Sequence, residues 1–88
     1  MRSHQDPALL RAFAAELKAR RDKLELTQEN LAHDAGVNRT FVARLELAAT
    51  SPSLTTLYRL AEGLRVEPAD LVKSISKRYK REKAHPSA

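Results

Sequence analysis

The chain has 88 residues, no cysteine, 42% hydrophobic residues and a formal net charge of +5. That length allows one small core, and the lack of cysteine removes disulfides and thiolate metal sites as extra support. No apolar run approaches the roughly 20 residues that span a bilayer, and the opening MRSHQDP lacks the apolar stretch of a signal peptide, so a soluble cytoplasmic protein is expected.

The charge is unevenly placed. Met1–Val72 carries ten basic and ten acidic residues, whereas Lys73, Lys77, Arg78, Lys80, Arg81 and Lys83 oppose Glu82 alone. The whole excess therefore lies in the last sixteen residues. Such an end suits an anionic partner such as nucleic acid, or serves simply as a solubilising terminus. The chain divides into an N-terminal extension (1–6), a helical domain (7–72) and a basic helix end and tail (73–88).

Asp6-Pro7 signals a helix start, with a capping carboxylate before a proline preformed for the first turn. Leu10, Phe13, Ala14, Leu17 and Leu24 then recur every three or four residues, one apolar stripe on a helix of about seventeen residues. Arg20, Arg21 and Lys23 complement the negative end of its dipole. Leu24-Glu25-Leu26 reads as a connector. Thr27 caps a second helix of about two turns, with Asn30 in the third position of a capping box. Gly36 supplies a left-handed residue for the sharp turn that follows. Asn38 caps a third helix, which has Val42 and Leu45 on one side and Arg39, Thr40, Ala43 and Arg44 on another.

Leu47–Pro52 has no periodicity and reads as a loop. Ser53 caps a fourth helix whose Leu54, Leu57, Leu60, Ala61 and Leu64 form a wide apolar face. Glu67-Pro68 opens a fifth, continued by Leu71, Val72, Ile75 and Tyr79, and Ala84–Ala88 is expected to fray. No segment alternates with period two. Five helices joined by short loops predict an all-α, compact five-helix domain.

The span from Phe13 to Leu71 resembles the phage repressor and Cro family of Xre-type helix-turn-helix domains. The resemblance is carried by Leu26-Thr27-Gln28-Glu29-Asn30-Leu31-Ala32, by Gly36–Glu46, by Pro52-Ser53-Leu54, Leu57, Leu60-Ala61 and Leu64, and by Val66–Leu71. It implies a DNA-binding transcriptional regulator whose third helix (Arg39–Leu47) lies in the major groove of double-stranded DNA. Arg39, Thr40, Ala43 and Arg44 are then the expected base-contacting residues, the arginines suiting guanine O6 and N7. Gln28 matches the family glutamine that meets phosphate and braces the recognition helix. Asn38, Ser53 and Thr55, at helix starts, can hold phosphates as well, with capping alone as the other reading of Asn38 and Ser53. The resemblance also implies that Glu46 pairs with Arg21 as a structural brace.

The sequence departs from the family at Glu25, Ala48 and Arg65, where glycine is frequent. Differently shaped turns, or helices that run slightly longer, are expected there. Glu67 stands in place of a common serine cap. Phe41 is left between packing on the second helix and meeting DNA sugars. His4, His33 and His85 are too dispersed for a metal site, and neither a glycine-rich phosphate loop nor a nucleophile–base pair is present. No enzyme, metal or cofactor is expected.

Two functional classes follow. One is a homodimeric regulator on an inverted-repeat operator, with Leu71, Val72, Ile75 and Tyr79 as the dimer interface, or else packed on the first helix. The alternative is a protein-interaction module, such as an antitoxin or regulator subunit, whose basic last helix binds an acidic protein partner.

Overall fold

The structure is a computed structural model that describes residues 5–84. Helix α1 (Pro7–Lys23) begins where Asp6 Oδ1 accepts the amides of Ala8 and Leu9 at 3.0 and 3.2 Å. Helix α2 (Gln28–Ala35) opens on a closed capping box: Thr27 Oγ1 accepts from the Asn30 amide at 3.0 Å, and Asn30 Oδ1 from the Thr27 amide at 3.4 Å. Gly36, at φ 71°, ends it in the left-handed region. Asn38 Oδ1 takes the Phe41 amide at 2.7 Å to start α3 (Arg39–Glu46), and Ser53 Oγ takes the Thr56 amide at 3.1 Å to start α4 (Leu54–Gly63). Helix α5 (Pro68–Ala84) crosses residue 72 without a break. The described residues contain helices and no strand.

Glu25, Ala48 and Arg65 do not lengthen their helices or reshape their turns. They adopt the left-handed conformation themselves, at φ 56°, 57° and 59°. The amides that follow confirm the turn geometry: Leu26 N bonds Arg21 O, and Ala49 N bonds Arg44 O, each at 3.0 Å. Val66 N bonds Ala61 O in the same way at 3.0 Å. A side chain in this region crowds its own carbonyl and costs roughly 1–2 kcal/mol. The helix ends thus keep a glycine-type geometry on non-glycine residues, because the packing of the helices on either side dictates it.

Leu17, Leu31, Leu45, Leu60, Leu71 and Val42 are fully buried and meet in one core. Each large aliphatic chain removed from water contributes about 1.5–3 kcal/mol. α1 buries more than its predicted stripe, taking in Ala12 and Glu16, because it packs on α5 along one side and α3 along another. α2 crosses α4 at Gly63, where an added Cβ would meet Leu31 Cδ1 at 3.1 Å and Ala35 Cβ at 3.3 Å. Leu54 corrects the predicted face of α4: as the first helical residue it projects past the core and is 72% exposed.

The stripe Leu71, Val72, Ile75 and Tyr79 is largely consumed within the chain. Leu71 and Ile75 are buried core residues, and Tyr79 packs against that core with its hydroxyl bonded to Asp6. Only Val72 is exposed. The physical reason is the long α1–α5 contact, which turns the inner side of α5 onto α1. As a set these four residues are not an outward dimer surface; packing on the first helix accounts for three of them. Of the expected frayed end, residues 85–88 lie outside the described residues, as do His4 and His85; Ala84 is still helical.

Candidate nucleic-acid interface

The site is built around α3, eight residues long and too short to be stable in isolation. Val42 and Leu45, both fully buried, lock its inner side to the core, and Phe41 packs partly buried against the same cluster. With that side anchored, Arg39, Thr40 and Arg44 are exposed and Ala43 is half-buried between them. Positions i, i+1, i+4 and i+5 share one face of a helix, so the four expected base-contacting residues are brought together. Neither Arg39 nor Arg44 is in an ion pair among the described residues. Their guanidinium forks remain available for a planar acceptor such as a base edge or a phosphate.

The far end of α3 is fixed by charge. Arg21 donates to Glu46 through Nε at 2.6 Å and Nη2 at 3.0 Å, a two-pronged pair, and its Nη1 reaches the Leu26 carbonyl at 2.7 Å. Gln28 Nε2, from the first turn of α2, donates to Glu46 Oε1 at 3.0 Å. One carboxylate therefore joins the end of α1, the start of α2 and the end of α3. The Glu46 side chain is 5% exposed. Burial pushes its carboxyl up, but the hydrogen bonds from Arg21 and Gln28 outweigh this and hold it below the usual glutamate range. The Glu46 hydrogen bond correspondingly raises Arg21. Both partners are held charged, and their pairing ties the end of α3 to the end of α1, with Gln28 adding α2.

The helix starts sit differently from one another. The side chains of Asn38 and Ser53 are engaged in capping, Ser53 Oγ also lying 3.0 Å from Thr56 Oγ1, which leaves backbone amides for an anion. Gln28 has one amide proton directed to Glu46 and is half-buried. Thr55 is exposed and borders a shallow surface hollow with Leu54, Tyr58, Arg59 and Pro68. Thr55 thus neighbours an apolar patch as well as a helix start. His33 and Asp34 are exposed on α2, and no group of three or more His, Cys, Asp or Glu is placed to hold a metal among the described residues. No helix of the described residues is long and apolar enough to cross a membrane.

Sequence reasoning missed three features. The Leu26 carbonyl completes the Arg21 site, and only the left-handed turn at Glu25 aims it there. Glu16 is buried and bridges Arg20 and Arg78 at 2.6 and 2.7 Å. Its i,i+4 spacing to Arg20 was the available signal. Leu47, Leu54 and Tyr58 are exposed apolar residues, for which periodicity carries no warning.

A short helix held at an angle to its predecessor, with an unpaired Arg/Thr face outward, defines a helix-turn-helix DNA-binding protein. The comparisons agree. Residues 17–71 match the helix-turn-helix family HTH_3, and the chain belongs to that Xre-type family of DNA-binding transcription regulators. No curated protein sequence matches the chain. Among solved structures, the restriction-modification controller protein C.AhdI from Aeromonas hydrophila is 34% identical, with a TM-score of 0.68 over 70% of this chain and 94% of its own. The wild-type controller protein C.Esp1396I superposes with a TM-score of 0.76 at 23% identity, covering 83% of this chain and 95% of its own. The clp gene regulator ClgR from Corynebacterium glutamicum gives 0.77 at 21% identity, over 90% and 96%. The last two share the fold.

Proposed function

We propose that the chain is a sequence-specific regulator acting as a homodimer on an inverted-repeat operator, with α3 in the major groove. The observation that carries this reading is the outward Arg39, Thr40, Ala43 and Arg44 face on a helix whose rear is locked by Val42, Leu45 and Glu46. Arg39 and Arg44 read guanine edges, and Thr40 and Ala43 fit beside a thymine methyl or the sugar-phosphate backbone. Phosphates are held at the helix starts by Gln28, Thr55 and the backbone amides after Asn38 and Ser53. Such a regulator works in the cytoplasm beside its DNA. Likeness to C.AhdI supports a controller-type role of the kind named for that protein.

The dimer surface that best fits is the exposed side of α4 with the start of α5. Leu54 and Tyr58 lie one turn apart there, 72% and 56% exposed, beside Pro68. Arg59 and Glu62 border the same hollow, and neither is in an ion pair among the described residues. A two-fold axis through this side sets an arginine of one copy against a glutamate of the other, the self-complementarity an isologous interface requires. Half-site centres then lie about 34 Å apart.

Selection of bound sites from random duplex DNA tests the reading. Recovery of an inverted repeat with G·C pairs in each half supports it; sites with no common sequence overturn it. An acidic protein partner, the alternative attached to the basic end, concerns another face and does not compete with this one.

A further inference from the structure

Helix α5 has two polar faces that are treated differently. Toward α1 its polar groups are matched one by one. Arg20 Nη2 donates to Ser74 Oγ at 3.0 Å, Arg78 Nε to Glu16 Oε1 at 2.7 Å, and Arg11 Nε to Glu82 Oε1 at 2.7 Å, while the Tyr79 hydroxyl donates to Asp6. Asp6, Glu16 and Glu82, the carboxylates gathered on this seam, are therefore already occupied.

On the outer face Lys73, Lys77 and Lys80 are exposed and form no ion pair among the described residues, while Arg81 borders the hollow of the seam with Arg11 and Glu82. The three lysines recur at i, i+4 and i+7, one cationic stripe along about two turns of helix. Like charges one turn apart repel, and no ion pair among the described residues offsets this. The stripe also lies apart from the reading face. α5 packs on α1 and α4, and α1 in turn packs on α3, so α1 stands between α5 and the recognition helix. A helix with its side chains is about 10 Å thick, comparable to the screening length at moderate salt. The stripe is thus poorly placed to assist the duplex that α3 holds.

We propose that this outer face of α5 docks an acidic protein segment, and does so while the regulator is on DNA. A partner helix with Glu or Asp at i, i+4 and i+7 presents carboxylates at the same intervals as Lys73, Lys77 and Lys80, so the two faces match turn for turn. A duplex fits less well. Its phosphates follow a curved groove, and this face offers no helix start to receive them. Recruitment of an acidic partner is a second activity of the chain, independent of sequence reading.

The test uses the full chain with two labelled probes, poly-L-glutamate and a random-sequence duplex, followed by fluorescence anisotropy at low and moderate salt. One variant replaces Lys73, Lys77 and Lys80 together by Gln, a good helix former; the other is Arg39→Ala with Arg44→Ala. The first is expected to weaken polyglutamate binding by about tenfold, given the modest worth of each exposed pair, and to change duplex affinity less than twofold. The second should do the reverse, and its duplex result alone reports on the DNA reading. Equal loss of duplex binding in the Gln variant would make the stripe a DNA contact and overturn the proposal. Unchanged polyglutamate binding would overturn it too, leaving a solvated face. If the three-site variant melts early, Lys77→Gln with Lys80→Gln is read against the same two probes.

Discussion

Arg21 and Glu46 meet through two hydrogen bonds of 2.6 and 3.0 Å, joining residues 25 apart in the chain at the junction of α1, α2 and α3. The pair is nearly dry, at 12% and 5% side-chain exposure. Its value lies in what its loss would leave. Removing one partner strands a buried charge and leaves Gln28 or the Leu26 carbonyl without its partner.

Glu46→Ala is accordingly expected to destabilise the fold by about 3 kcal/mol, since breaking a buried pair costs roughly that much. In a domain of this size that lowers Tm by more than about 10 °C. Thermal unfolding followed by circular dichroism checks this. A variant melting within a few degrees of the parent would show that the brace contributes little.

Arg39→Ala and Arg44→Ala should leave Tm unchanged, because both side chains are exposed and unpaired. Each is expected to cost roughly 1–3 kcal/mol in binding a selected operator and to relax the base preference at one position. Electrophoretic or anisotropy titrations on the selected site and its single-base variants measure both effects. Uniform weakening across all sequences would reassign that arginine to phosphate.

The left-handed residues offer a stabilising change. Glu25→Gly, Ala48→Gly and Arg65→Gly each relieve about 1–2 kcal/mol of steric strain. Against this stands a greater loss of unfolded-state entropy, about 0.4–1 kcal/mol. A net gain of some tenths to about 1 kcal/mol per site is expected, seen as a higher urea midpoint with unchanged slope. Gly36→Ala should go the other way: nothing obstructs a Cβ there, but φ 71° is unfavourable for alanine.

Acid should weaken two polar links together. For Glu16, burial raises the carboxyl, but the hydrogen bonds from Arg78 and Arg20 prevail and lower it overall, as Arg21 and Gln28 do for Glu46. A carboxyl lowered in the folded state binds protons less readily than in the unfolded chain. Its contribution is therefore complete above the unfolded value, about 4.3, and is lost as pH falls through the lowered one. The Tm difference between the parent and Glu16→Gln should be widest near neutral pH and close below about pH 4. A difference that stays constant with pH would show that the carboxylate is not held charged.

Leu54→Asp with Tyr58→Asp places like charges on the proposed self-complementary side of α4. Sedimentation should show monomer for this variant, with helix content retained, because neither residue belongs to the core. Persistence of the parent's assembly state would move the interface elsewhere.

The helices themselves were legible in the sequence because their causes are local. Asp6, Thr27, Asn38 and Ser53 cap the helices they precede, and Gly36 turns the chain, through bonds spanning two to five residues. The outward grouping of Arg39, Thr40 and Arg44 was legible too, since a helix imposes one periodicity on every residue it contains. Which apolar residues stay inside depended on distant partners. The spacing of Leu71, Ile75 and Tyr79 left open a dimer interface or packing on the first helix, and the contact of α1 with α5 turns them inward. Leu54 had the spacing of a core residue and is exposed because the core ends before it reaches the first turn of α4. Periodicity says which residues share a face; only packing says what that face meets. The sequence by itself determined the five helices and the polar face that α3 turns outward, and the tertiary structure alone decided the seam between α1 and α5, the outward cations it leaves, and the left-handed turns that aim one helix at the next.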